Sequence, residues 1–211
     1  YYVNPSFLFK LSEKTEIILQ GDYLNDDWTP DFGTAIIKKE IIDLPRNLYM
    51  GAVWSNGKTK QTTISGMIKH NFNSTWKLNF NTSFQDYSRT WKGTERIQPS
   101  DTGNWSRPLG QNRNEETIAS EQLSIQGNFA TGKIKHQLFS GIDADKTFAE
   151  VYTFAFNPII YDTINIFDFN YSNIEPPKPE AINTRIAQTT TSRFGVFTQD
   201  LITISEKFKV L

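Results

Sequence analysis

The sequence predicts an all-β chain, an antiparallel meander of about seven long strands and a short final stub. Three observations predict it. Apolar and polar residues alternate with period two along several segments, which is the side-chain period of a strand. Turns of about three residues alternate strictly with connections of roughly 25 to 40 residues. Aromatics make up 14% of the 211 residues while the hydrophobic fraction is only 37%. Aromatic and β-branched side chains fit a pleated surface, and disordered chains lack them.

Residues 1–11 set Tyr1, Val3, Pro5, Phe7, Phe9 and Leu11 on one face and Tyr2, Asn4, Ser6, Leu8 and Lys10 on the other. Pro5 cannot donate to a ladder, so a bulge or an edge is expected there. Ser12-Glu13-Lys14 turns the chain, and residues 15–25 return with Ile17, Leu19, Gly21 and Tyr23 on one face and Glu16, Ile18, Gln20 and Asp22 on the other. Residues 62–72 alternate Thr62, Ile64, Gly66, Ile68 and Phe72 against Thr63, Ser65, Lys69 and Asn71, interrupted by Met67 and His70. Asn73-Ser74-Thr75 is a turn. The clearest strand follows: Trp76, Leu78, Phe80, Thr82 and Phe84 against Lys77, Asn79, Asn81, Ser83 and Gln85. A third hairpin carries Ala119, Leu123, Ile125 and Phe129 on one face, turns at Thr131-Gly132-Lys133 and returns through Ile134, Leu138, Ile142 and Ala144. A fourth runs from about Thr191 to Ile204, turns at Ser205-Glu206-Lys207 and stops at Leu211.

The connections between hairpins cover roughly 26–60, 91–117 and 151–190, rich in Asp, Asn, Pro, Gly, Trp and Tyr. Loops longer than about 12–15 residues are uncommon in compact domains unless functional or disordered. All tight turns fall at one end of the sheet and all long loops at the other. Long strands, one apolar face each, with that asymmetry of connections, describe part of a large transmembrane β-barrel of the bacterial outer membrane. The apolar face meets lipid, and Lys77, Asn79, Asn81, Gln122, Gln126, Asp143 and Asp145 line a lumen. Spanning needs about 9–11 residues per tilted strand, and these reach about 11–15. Alternation by itself leaves open a soluble β-sandwich lectin with its apolar residues inside. An odd strand count, the stub and the absence of a starting Met lead us to expect an internal piece of a longer barrel, since closed bacterial barrels have even strand numbers and no edge.

Composition narrows the function. Lys+Arg number 22 against 23 Asp+Glu, without the clustered basic excess of a nucleic-acid binder. There is no Cys and there are two His, so thiolate metal sites and Cys nucleophiles are excluded and imidazole chemistry has little material. No apolar run is long enough for a transmembrane helix, and no signal peptide is visible. GxGxxG, GxxxxGK[ST], GxSxG and HExxH are absent from the sequence, and an enzyme is not expected.

Asp22-Tyr23 to Asp31-Phe32-Gly33, then Leu44-Pro45-Arg46-Asn47, Gly51 and Trp54, resemble the first barrel loop of TonB-dependent siderophore receptors. Arg193-Phe194-Gly195-Val196-Phe197-Thr198-Gln199-Asp200 and Phe208-Lys209-Val210-Leu211 are similar to that family's recurring mid-barrel strand, and Asn71-Phe72-Asn73-Ser74-Thr75-Trp76 to its periplasmic turns. The resemblance covers nearly the whole chain. It implies that residues 1–211 are part of a 22-stranded barrel, with the plug domain outside this chain. It implies import of a ferric siderophore, driven by the TonB energy-coupling complex acting through that plug, with outer-membrane lipid around the barrel and no nucleic-acid partner. The same fold also serves other nutrients, such as a glycan or cobalamin, and a small structural or adhesive barrel is a further alternative.

A ferric siderophore brings its own oxygen ligands, so no cofactor and no protein metal ligands are expected. Its receptor needs aromatic surface, donors and cations at an outer vestibule. The expected ligand-binding residues are Trp28, Arg46, Tyr49, Trp54, Trp91, Trp105, Arg107 and Tyr152, with Arg89 and Arg96 as further loop cations. For each aromatic the alternative is an interfacial girdle or loop packing; for Arg46 it is a loop anchor. Asp26, Asp27 and Asp31 read as solvated carboxylates, His70 and His136 as interfacial side chains, Pro176-Pro177-Lys178-Pro179 as a stiffener within a loop, and the sequons at Asn73, Asn81 and Asn104 as chance matches.

Overall fold

Alternating sequence becomes alternating structure in a computed structural model that describes residues 1–168 and 179–211. Twelve strands form: β1 (Tyr2–Val3), β2 (Ser6–Lys10), β3 (Thr15–Trp28), β4 (Ile36–Ile37), β5 (Glu40–Ile41), β6 (Asn56–Asn71), β7 (Trp76–Thr94), β8 (Asn104–Thr131), β9 (Ile134–Ala155), β10 (Ile160–Asn165), β11 (Asn183–Ser205) and β12 (Phe208–Val210). The main sheet runs β1-β3-β6-β7-β8-β9-β11-β12, with β2 also on β3 and β10 also on β8, and every pairing is antiparallel. The pairing is thus an all-antiparallel meander of long strands ending in a three-residue stub. Pro5 separates β1 from β2, as its missing donor requires.

The strands are longer than expected. β7 continues to Thr94, β8 begins already at Asn104, and β9 runs to Ala155, so residues assigned from sequence to loops belong to the sheet. The reason is visible in their composition: the added parts of β7 and β8 are largely polar on both faces and the added end of β9, Val151-Tyr152-Thr153-Phe154-Ala155, is largely apolar on both, so period two loses its contrast while cross-strand pairing continues. The long connections shrink to 29–55, 95–103 and 156–182, and they contain β10 and the small β4–β5 hairpin. That hairpin turns through Lys38 and Lys39, both at positive φ (50° and 71°), as a two-residue hairpin turn demands.

Register aligns the apolar face into rows. Phe9, Ile17, Ile68, Phe80, Leu123, Ile142 and Val196 are successive cross-strand neighbours across the whole sheet. Several of them are exposed, from 38% at Ile68 to 72% at Val196. An apolar surface of that extent requires a partner. On the opposite face the corresponding row reads Ile18, Met67, Asn81, Gln122, Asp143 and Gly195. A hollow of about 500 Å³ opens on this polar face, lined by Gln20, Ser65, Asn81, Ser120, Gln122 and Asp143. The sheet therefore curves with polar side chains inside and apolar ones outside, the arrangement of a membrane barrel rather than a sandwich. Both sheet margins, β1/β2 and β12, are open edges among the described residues.

The tight-turn end is built by local bonds. Asn73 Oδ1 accepts from Thr75 N, Thr75 Oγ1 and Trp76 N, and Gly132 takes positive φ (64°) in the third turn. Trp76, Phe129 and His136 stack in series on the outer face at this end, with centroids 6.2 and 4.5 Å apart. His136 Nδ1 lies 2.7 Å from Asp200 Oδ2, and His70 Nδ1 lies 2.8 Å from Thr15 Oγ1. The Pro176-Pro177-Lys178 part of the proline segment lies outside the described residues.

Candidate functional site

At the loop end the polar face carries aromatic rings. Trp28, Gly57, Trp91 and Asn112 form one cross-strand row on the lumen side of β3, β6, β7 and β8. Gly57 is required there, because a Cβ would run into the Trp28 indole. With that space free, Trp28 lies across β6, where its Nε1 donates to Thr59 Oγ1 at 3.1 Å. The exposed Arg89 guanidinium sits over the Trp28 ring at 4.7 Å. Phe32, from the first long loop, meets Trp91 edge-on at 5.6 Å. Trp28, Arg89, Trp91 and Phe32 thus make a shelf at the mouth of the lumen that presents both π surface and positive charge.

The described parts of the long loops also fold onto one another. One cluster joins Ala35, Ile37, Met50, Trp105 and Ile166, and a second joins Ala52, Leu109 and Tyr161. These are the buried hydrophobic residues of the described chain. The buried hydrophobic residues therefore lie in the loops and at the loop end of β8, not under the membrane rows. Between the clusters, the Arg107 side chain is 3% exposed. Its Nε donates to Asp162 Oδ1 at 2.6 Å, its Nη2 pairs with Asp162 Oδ2, and its Nη1 donates to the Met50 carbonyl at 3.3 Å. The same guanidinium lies over the Tyr161 ring at 5.4 Å.

Of the eight residues expected from sequence, the structure brings Trp28 and Trp91 together on the shelf. Trp105 is 2% exposed in the loop core, and Arg107 is spent on Asp162. Trp54 is half-buried edge-on to Tyr161 at 5.4 Å. The Tyr49 hydroxyl donates to the carbonyls of Pro30 and Ala52, each at 3.2 Å. Arg46 is exposed and lines a hollow of about 250 Å³ within the first loop, beside Asp31 and Asp43. Tyr152 falls on the outer face through its pairing with Arg113, which lies over its ring at 4.6 Å, and its hydroxyl reaches Glu115 and Glu150 at 3.4 and 3.3 Å. Because β9 extends past it, strand parity turns Tyr152 away from the lumen. Of the three loop carboxylates, Asp27 pairs with Lys58 at 3.3 Å and Asp31 caps Gly33 N at 2.9 Å. No metal-binding group of three His, Cys, Asp or Glu occurs among the described residues.

Sequence reasoning left out Phe32, Tyr161 and Asp162. Phe32 was visible only as part of Asp31-Phe32-Gly33. The pairing of Asp162 with Arg107 joins positions far apart in an aperiodic stretch and leaves no local signal.

Comparison with known proteins follows the same lines. The family model described as TonB dependent receptor-like, beta-barrel matches residues 3–211. The metal-pseudopaline receptor CntO of Pseudomonas aeruginosa is 24% identical over 147 residues, 68% of this chain and 21% of that receptor. The ferric-catecholate import receptor Fiu of E. coli K12 superposes with a TM-score of 0.83 at 19% identity, covering 99% of this chain and 32% of Fiu. The ferripyoverdine receptor of P. aeruginosa gives a TM-score of 0.76 at 17% identity, covering 97% of this chain and 28% of that one. The chain thus spans about a fifth of the curated relatives it matches and about a third of Fiu. The family is one of transport receptors of the bacterial outer membrane, and this chain belongs to it as part of the TonB-dependent receptor β-barrel.

Proposed function

We propose that this chain is the part of a receptor barrel that helps capture a ferric siderophore and pass it across the outer membrane, powered by the TonB system. The observation that carries the reading is the shelf of Trp28, Arg89, Trp91 and Phe32 at the loop end of the lumen. A bulky anionic chelate with planar donor groups is complementary to stacked rings and an exposed guanidinium. The ligands of the relatives support the ligand class: CntO is a metal-pseudopaline receptor and Fiu a ferric-catecholate import receptor. The chelate carries its own iron, so the receptor needs no resident cofactor. The test is radioiron uptake by cells carrying the full receptor with Trp28→Ala, Arg89→Ala or Trp91→Ala. Uptake falls while the amount of receptor in the membrane stays constant; normal uptake in all three removes the shelf from the site.

A further inference from the structure

The described parts of the three long connections are not independent of one another. Each of three segments contributes to both hydrophobic clusters: the first loop through Met50 and Ala52, β8 through Trp105 and Leu109, and the β10 segment through Ile166 and Tyr161. Ile97, from the connection between β7 and β8, packs against the first cluster, and Ile166 N donates to the Gly103 carbonyl at 2.9 Å. At the seam between the clusters stands Arg107, flanked on its own strand face by Trp105 and Leu109. It is bonded at once to β10 through Asp162 and to the first loop through the Met50 carbonyl. A buried guanidinium between two apolar clusters is stable only with its partners in place, so the pair opens and closes as a unit. The first loop also touches the shelf, since Phe32 packs on Trp91 and Pro30 and Ser55 lie against Gly93.

We infer that Arg107 and Asp162 are positioning residues: their ion pair locks the first loop, the start of β8 and the β10 segment into one cooperative lid, and that lid holds Phe32 over Trp91. The consequence for ligand rests on the shelf being the ligand site; the lock itself does not. Neither residue touches ligand in this account. Arg107 acts through the loop it fastens.

Hydrogen exchange on the full-length receptor in lipid nanodiscs tests the lock without ligand. Arg107→Met keeps an unbranched apolar stem and removes the guanidinium with its charge. It raises exchange by about tenfold at the amides of Ile42, Leu109 and Ile166 together, because they share one opening. Amides of the membrane rows around Phe80 and Leu123 keep their protection. A rise confined to one loop, or none, overturns the lock. Adding Asp162→Leu to Arg107→Met pairs two apolar side chains at the seam and restores protection; continued fast exchange in the double variant contradicts the assignment. A second arm titrates the ferric complex of a tris-catecholate chelator by tryptophan fluorescence. Arg107→Met weakens binding about tenfold and the double variant recovers it. Failure of the unsubstituted receptor to bind this probe overturns the ligand half alone, because the exchange arm still decides the lock.

Discussion

The membrane rows and the loop lid solve the same problem in opposite ways. In the rows, Ile68, Leu123, Ile142 and Val196 stand exposed on the outer face, and lipid is the phase that covers them. In the lid, Trp105, Ile166, Met50 and Leu109 are buried by other parts of the same chain. The sheet has its core outside itself and the lid has one of its own. The difference teaches where each region's stability resides. The rows depend on the bilayer and on cross-strand bonds. The lid depends on packing and on one buried ion pair, as a small soluble domain does. Charge is handled differently as well. Lys146 stands on the outer face of β9, level with Ala119 and toward the loop end from Ile142, where its long side chain can reach the headgroups. Arg107, with no water to reach, is held by Asp162 instead.

The largest effect that sharpens this contrast comes from the lid. Arg107→Ala leaves the half-buried Asp162 carboxylate without its partner and opens a gap at the seam, a loss of about 3 kcal/mol. It is expected in the stability of the loops alone, read as loop exchange with an intact heat-resistant barrel band on a gel. Next comes the membrane face. Phe80→Arg on the outer face costs about 2–4 kcal/mol near mid-membrane, whereas its neighbour Asn81→Arg, on the lumen side, costs little. Refolding titrations into lipid vesicles measure both, and equal tolerance breaks the assignment of faces.

These two regions were unequally legible in the sequence. The rows follow from period two, because Phe80, Leu123 and Ile142 each sit in a segment whose neighbours alternate in polarity. The tight turns were legible for the same reason, through Asn73 and Gly132. The upper halves of β7 and β8 were not, since a strand that is polar on both faces looks like a loop, and the end of β9 was not, since Val151-Tyr152-Thr153-Phe154-Ala155 shows no contrast between its faces. The lid was least legible. Trp105 and Arg107 were expected to meet ligand because exposed aromatics and cations do so, and nothing local tells that Asp162 and Ile166 lie over them. Tyr152 shows the parity error that an unrecognised strand extension produces. Trp28 and Trp91 remained together because their strands were placed in register by the rows beneath.

Smaller effects refine the comparison. Arg89→Ala removes the cation over Trp28 and is expected to weaken capture of an anionic chelate by about 1–2 kcal/mol, seen as a raised half-saturation of uptake without a change in receptor level. A neutral chelate is expected to lose less. Smallest is the turn of the β4–β5 hairpin. Lys39→Gly relieves a left-handed lysine that costs about 1–2 kcal/mol, offset by glycine's entropy of about 0.5–1 kcal/mol. A gain of roughly 0.5 kcal/mol is expected in lid exchange, with no change in the rows.

The central claim is that one face of this sheet meets lipid and the other a lumen. This chain has no Cys, so Phe80→Cys and Asn81→Cys, each placed alone in the full receptor with any cysteine outside this chain replaced, can carry spin labels in a bilayer. Relaxation by oxygen and by a water-soluble nickel chelate reads the surroundings of each. Strong oxygen and weak nickel relaxation is expected at position 80, and a loss of the oxygen effect at position 81. The same relaxation at both positions, or the reverse pattern, contradicts it.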